Sequence, residues 1–222
     1  MPDAASPDEI VPDDHDRRNG HAPAGVEVTA EERETIEAAP VEEGEAPTRA
    51  GLALPPIRIL NTPNQSSRKG QTIRGIVIHE TEGGYLGAVG WLMRTGGDSS
   101  AHLILKEDGS EATQLVPWGG KAWHACNANS HTLGLEIAGF TASPNQQAQI
   151  DRAARICAYW CKRFGIPPAH ANRAWDGICT HKDLGVWGGG HHDPGGFSMD
   201  AFIAKVASEV ARGGFRPVWG KD

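Results

Sequence analysis

Hydrophobic and polar positions alternate in two different ways along most of this chain. Short apolar runs favour strands, whereas apolar residues spaced three or four apart favour helices. By the first criterion, strands are predicted at 73–79, 101–106, 111–116, 133–138 and just before His181. By the second, helices are predicted at 85–94, 145–164 and 199–211. This order of elements predicts an α/β fold with a mixed central β-sheet flanked by helices.

The first 50 residues lack this pattern. They contain 14 acidic and 4 basic residues and no Phe, Trp, Tyr or Leu. Such a segment buries too little apolar surface to offset the entropy lost on ordering it. We therefore interpret residues 1–50 as a disordered acidic segment and residues 51–222 as the folded catalytic domain. A capping-box pattern from Thr29 to Glu32 leaves a short helix over residues 30–38 as the alternative.

Charge and targeting signals restrict the partners. Residues 51–222 carry 17 basic and 14 acidic side chains, so the overall charge of −7 belongs to the acidic segment. We expect no nucleic-acid partner.

The chain shows neither a signal-peptide pattern nor a run of about eighteen apolar residues, so we expect synthesis in the cytoplasm and no membrane span. In that setting the four cysteines are expected to be free, buried thiols: Cys126, Cys157, Cys161 and Cys179.

Candidate metal ligands occur in two separated regions. His79 closes the first predicted strand, and more than a hundred residues later the segment from Thr180 to Gly196 carries further histidines and a carboxylate on a glycine-rich loop. Two histidines and one carboxylate form the ligand set of a catalytic Zn²⁺ site whose fourth position is left to water. Cys179 lies on the same face of its predicted strand as His181, so it is either an additional thiolate ligand or a core residue.

Five motifs occur in the order typical of one family. They are VIHET around His79, SAHLIL from Ser100, WHA from Trp123, GLEI from Gly134 and the ending THKDL…HHDPGG. Over about residues 57–212 the chain thereby resembles zinc-dependent N-acetylmuramoyl-L-alanine amidases of the type-2 amidase and peptidoglycan-recognition superfamily. The resemblance implies a peptidoglycan hydrolase that cleaves the amide between the lactyl group of N-acetylmuramic acid and L-alanine of the stem peptide.

The resemblance also implies roles for individual residues. His79, His181 and Asp193 correspond to the three zinc ligands. Glu136 corresponds to the general base, because relatives with alanine at the position of Ala101 use the glutamate of this strand. A carboxylate inside an apolar strand is costly unless it faces a cleft or finds a partner, so an ordinary salt bridge is the alternative for Glu136.

His191 stands where relatives commonly carry a lysine that stabilises the oxyanion, and an imidazole is also able to donate such a hydrogen bond. His192 is expected to face solvent. The resemblance places His102, Trp123 and His124 in the region that holds substrate. Core packing is the alternative for Trp123, and a structural hydrogen bond is the alternative for His102.

Two other functions share these features. A non-catalytic peptidoglycan-binding module would lack the metal, and a metallopeptidase would cut within the stem peptide. For the biological setting, a wall-cleaving enzyme made in the cytoplasm without a signal-peptide pattern needs help to reach the bacterial cell wall, and phage endolysins fit that constraint. It would act after release or as a component of a phage virion or injection particle.

Overall fold

The computed structural model describes residues 26–44, 53–171, 176–196, 198–215 and 218–222. The strands are β1 Val41–Glu42, β2 Ile57–Ile59, β3 Gln65–Ser67, β4 Gly75–Glu80, β5 Leu103–Leu105, β6 Ala112–Gln114, β7 Gly120–Ala122, β8 Thr132–Ile137 and β9 Gly177–Thr180. The helices are α1 Ala30–Ala38, α2 Tyr85–Met93, α3 Gln147–Phe164, α4 His181–Leu184 and α5 Met199–Arg212. Short 3-10 turns cover Cys126–Ala128 and Gly185–Gly188.

In the described part of the chain, seven strands form one mixed sheet in the order β1-β2-β6-β5-β8-β4-β9. Neighbours among β5, β8, β4 and β9 are parallel, so the carboxyl ends of these four strands lie along one edge. Strand β6 runs antiparallel to β5 and forms a hairpin with it. The predicted α/β fold with a mixed sheet flanked by helices is confirmed.

The two faces of the central strands are chemically different. Ile76 and Ile78 of β4 belong to the large apolar core, which also contains Trp160 of α3 and Phe202 of α5. Because successive side chains of a strand point to opposite faces, the odd-numbered residues of β4 point away from these helices. His79 therefore lies on the face that α3 and α5 leave uncovered.

Helix α3 shows how local pattern and packing agree. Its predicted apolar stripe is part of the core, and the helix ends at Gly165, which has φ of 70°. A side chain is disfavoured in that left-handed conformation, so glycine ends the helix here. The cysteines of the chain are buried and free, as predicted. None of the described helices is long and apolar enough to cross a membrane.

The acidic segment is not disordered throughout. Helix α1 forms with the capping box in place: Thr29 Oγ1 accepts the Glu32 N–H, and the Glu32 carboxylate accepts the Thr29 N–H. Ile36 is only 4% exposed and packs in an apolar cluster with residues of α2. The helix that was the alternative for residues 30–38 is therefore present; residues 1–25 and 45–50 lie outside the described residues.

Two glycines of α2 make room for this segment. A Cβ at Gly87 would lie 2.2 Å from the Val26 carbonyl oxygen, and one at Gly90 would lie 2.4 Å from Val28 Cγ1. The chain before α1 thus passes directly against the backbone of α2. Low apolar content predicts disorder only for a segment that has no surface to pack against. The sequence alone does not reveal that α2 provides such a surface for residues 26–28.

Arg58 of β2 holds the other end of α1. Its Nη1 donates to the carbonyl oxygens of Ile36, Glu37 and Ala39, at 3.1, 2.7 and 3.1 Å. These carbonyls lie at the negative end of the helix, where a cation is favoured. Strand β1 then pairs with β2, so residues 26–44 extend the folded domain beyond the boundary predicted at residue 51.

Candidate metal centre

The candidate site lies where three neighbouring parallel strands end. His79 is the next-to-last residue of β4, Glu136 of β8 pairs with it in register, and His181 directly follows β9. In open α/β sheets, ligands bind in the crevice outside the carboxyl ends of the strands. The topology therefore gathers these three side chains, although they are distant in sequence.

The three predicted ligands meet at this edge. One candidate ligand atom from each of His79, His181 and Asp193 lies within 4.8 Å of the other two. The two Nδ1 atoms are 2.9 Å apart, and carboxylate oxygens of Asp193 lie 3.6 Å from His79 Nδ1 and 3.3 Å from His181 Nδ1. All three residues are buried.

A chain of hydrogen bonds sets the tautomer of His79. Thr132 Oγ1 donates to the Ala128 carbonyl at 2.8 Å, so it accepts from His124 Nε2 at 3.2 Å. His124 Nδ1 is then the acceptor for His79 Nε2–H at 2.9 Å. Burial, followed by the charges of His102 and His181, holds the pKa of His124 well below its ordinary value and keeps this ring neutral. His79 Nδ1 consequently carries a lone pair directed at the other two ligands.

His181 is oriented like His79, with Nε2 bonded within the protein. Its Nε2–H donates to the carbonyl oxygen of Gly188 at 2.9 Å, which leaves Nδ1 on the side of the other two ligands. Two imidazole lone pairs and a carboxylate converging on one point repel each other unless a cation lies between them. The donor set therefore fits a divalent metal ion with an affinity for imidazole nitrogen and carboxylate oxygen.

Gly134 of β8 provides the space for His124. A Cβ at this position would lie 2.7 Å from both Cγ and Nδ1 of the imidazole. The Gly134 N–H also donates to His102 Nδ1 at 2.9 Å, and His102 Nε2 lies 3.2 Å from the Gly120 carbonyl oxygen. Burial, and then the charge of Arg68, holds the pKa of His102 well below its ordinary value.

These contacts show how His102 and His124, which were predicted to contact substrate, are held within the protein. His102 is completely buried, His124 is 5% exposed, and both ring nitrogens of each are engaged within the protein. Trp123 is 9% exposed, and its indole N–H donates to Ser66 Oγ at 3.1 Å, which matches the packing alternative. The sequence identified residues that surround the site but not the direction in which their polar atoms point.

Glu136 and His191 both lie beside the ligands. Since Glu136 pairs in register with His79 in a parallel ladder, the two side chains project from the same face of the sheet. The His191 ring stacks on that of His181, with centroids 4.3 Å apart and planes inclined by 17°. His192 is exposed, as expected.

Cys179 is a core residue in this structure. It packs with Val77, Ala125, Ala128 and Leu184 in a small apolar cluster beneath the site. Burial, with a smaller effect from the charge of Asp183, raises the pKa of its thiol far above the ordinary value. These surroundings disfavour a thiolate, so the packing alternative describes Cys179.

One buried residue near the site was missed from the sequence. Glu80 ends β4 and is completely buried, and its carboxylate accepts hydrogen bonds from Asn145 and Gly195. The position of a charged residue at the end of an apolar strand was an indication that this residue has a partner or a role. Its partners, however, lie 65 and 115 residues away along the chain.

Comparisons with known proteins identify the family of this chain and proteins of similar fold. Residues 69–196 match the family model Amidase_2, described as N-acetylmuramoyl-L-alanine amidase. N-acetylmuramoyl-L-alanine amidase A of Achromobacter lyticus is 31% identical over 119 residues, which are 53% of this chain and 65% of that protein. The match thus spans slightly less than two thirds of this relative.

Solved structures of similar fold include a Staphylococcus aureus hydrolase, AmiA, in complex with its ligand. It superposes with a TM-score of 0.59 and 18% identity over 83% of this chain and 92% of that chain. A selenomethionine derivative of AmpD gives a TM-score of 0.56 and 20% identity over 72% of this chain and 99% of that chain. At these identities the likeness shows a shared fold.

Proposed function

Because the chain belongs to the N-acetylmuramoyl-L-alanine amidase family, we propose that it hydrolyses the amide between the lactyl group of N-acetylmuramic acid and L-alanine of the peptidoglycan stem peptide. The observation that best supports this activity is the convergence of His79, His181 and Asp193 at the carboxyl edge of the sheet, with Glu136 beside them.

Zn²⁺ is the cofactor in this proposal. Nδ1 of His79, Nδ1 of His181 and the Asp193 carboxylate would hold it, and the hydrogen bonds of the two outer nitrogens to His124 and Gly188 would fix both rings. When bound in a three-ligand site, zinc supplies Lewis acidity, which polarises a carbonyl and makes water more acidic.

The protein side chains supply the proton transfers. Glu136 is the general base that takes a proton from the attacking water, and it afterwards donates a proton to the leaving amine. His191, stacked on His181, would donate an N–H to the oxyanion that develops on the lactyl carbonyl. Glu136 is 7% exposed, so solvent competes little for its carboxylate.

The proposed setting is lysis of the bacterial cell wall by a phage or phage-like particle. In this proposal the protein is made in the cytoplasm and reaches peptidoglycan after release or within a virion. The peptidoglycan amidase family to which the chain belongs supports the cell wall as the target.

Product analysis tests the proposed reaction. Purified protein is incubated with a soluble disaccharide-peptide from peptidoglycan, and the products are identified by mass spectrometry, with His79→Ala as the control. An amidase releases the disaccharide with a free lactyl carboxylate and a peptide beginning with L-alanine. Shortened peptides still attached to sugar would indicate a metallopeptidase instead, and an unchanged substrate would indicate a binding module.

A further inference from the structure

A buried carboxylate binds the loop that carries Asp193. The backbone N–H of Glu80 donates to Asp193 Oδ2 at 3.1 Å, and Glu80 Oε2 accepts the Gly195 N–H at 3.2 Å. Main chain and side chain of one residue thus bind the same loop on both sides of Pro194. Since Glu80 follows His79 directly in β4, this contact joins the first and third predicted ligands.

The second carboxylate oxygen of Glu80 binds the segment before α3. Asn145 Nδ2 donates to Glu80 Oε1 at 2.8 Å. The loop passes between this segment and the end of β4, where side chains are excluded. A Cβ at Gly195 would lie 2.3 Å from Thr141 Cγ2, and one at Gly196 would lie 2.9 Å from Asn145 Oδ1.

The loop needs such contacts because its own sequence restricts it little. Between His181 and Asp193, three glycines have positive φ: Gly185, Gly189 and Gly190. Glycine loses more backbone entropy on ordering than other residues do. Apart from the contacts of Glu80, the Asp193 carbonyl accepts the Lys182 N–H at 2.9 Å.

The chemistry of position 80 favours a carboxylate. The side chain accepts hydrogen bonds from two N–H donors, and a carboxylate offers an acceptor to each of them. An amide of the same size offers one acceptor, so it keeps both contacts only if the Asn145 side chain turns its Oδ1 toward the new NH₂ group. We propose that Glu80, with Asn145, is a positioning residue that holds the Asp193 carboxylate in the metal-binding arrangement. This inference rests on the metal site of the proposed function.

Exchanging the carboxylate of Glu80 and the amide of Asn145 tests whether the two side chains act as a pair in positioning Asp193. Zinc affinity is measured by competition with a chromophoric chelator for the wild type, Glu80→Gln, Asn145→Asp and the double variant. Asn145→Asp opposes two carboxylates, and we expect its zinc affinity to fall about 10- to 100-fold, as for other outer contacts of metal sites. Glu80→Gln should lower the affinity less, because the Asn145 amide is able to turn its Oδ1 toward the new NH₂ group. In the double variant the amide at position 80 donates to the carboxylate at position 145 and accepts from Gly195, so most of the affinity should return.

Glu107→Gln is the matched control. The Glu107 carboxylate accepts the Tyr85 N–H at the start of α2, away from the ligands, so this variant should bind zinc like the wild type. Thermal unfolding of every metal-free variant is measured in parallel, because a purely structural role would lower the melting temperature without changing zinc affinity.

Unchanged zinc affinity in both single variants would overturn the inference, and so would a double variant that binds as weakly as they do. A wild-type protein that binds no zinc would instead refute the proposed cofactor and this inference together. The two failures are thereby distinguished.

Discussion

Truncation of Ile36 tests whether residues 26–44 belong to the folded domain. This side chain is 4% exposed and is the buried residue of α1 in the described structure. Replacing a buried isoleucine with alanine commonly destabilises a protein by about 2–5 kcal/mol. We expect the free energy of unfolding to fall by about 2 kcal/mol, at the low end of that range, because a short peripheral helix is able to shift and fill part of the cavity.

Thermal unfolding followed by circular dichroism measures this effect. In a chain of this size, 1 kcal/mol corresponds to about 2–4 °C in melting temperature, so Ile36→Ala should melt about 4–8 °C below the wild type. Val41→Ala is the control, because Val41 is 41% exposed and its truncation should change stability by less than about 0.5 kcal/mol. Both are compared at one zinc concentration, since bound metal raises the melting temperature. Equal melting of Ile36→Ala and the control would refute the packing of α1.

Three further substitutions probe the site. Glu136→Gln should retain zinc but lower kcat by about 10²-fold or more, and an unchanged kcat on the soluble substrate would assign the base role elsewhere. His191→Ala should lower kcat without loss of zinc, whereas His191→Lys, which restores a donor, should keep most of the activity; equal rates for His191→Ala and wild type would exclude this role. Gly134→Ala should weaken zinc binding, because its Cβ would displace His124 from His79; chelator competition showing wild-type affinity would contradict this.

Local sequence patterns predicted the longer helices and strands because these elements contain enough residues for an apolar stripe or an apolar run to be detected. Helix α3 contains five turns of apolar stripe, β4 begins with the apolar run Gly75–Ile78, and β8 contains the run Leu133–Leu135. Strands such as β1 and β3 have two or three residues, which is too short for any alternation to be detected.

The candidate site was predictable for a different reason. His79, His181 and Asp193 are ligand-type residues at a strand end and around a glycine-rich loop, and their motifs resemble those of a known family. The roles of His124 and Glu80 depend on partners that only the fold brings together. His124 needs the space above Gly134 and a hydroxyl at Thr132, and neither requirement is visible from residue type alone.

Digestion of purified sacculi with and without bound zinc is the most direct test of the proposed function. The protein is stripped with a chelator, its metal content is measured, and peptide release is followed by mass spectrometry before and after zinc is restored. The account predicts that peptides beginning with L-alanine appear only in the zinc-restored sample and do not appear with His181→Ala. Full release of these peptides by protein whose measured metal content is near zero would contradict it.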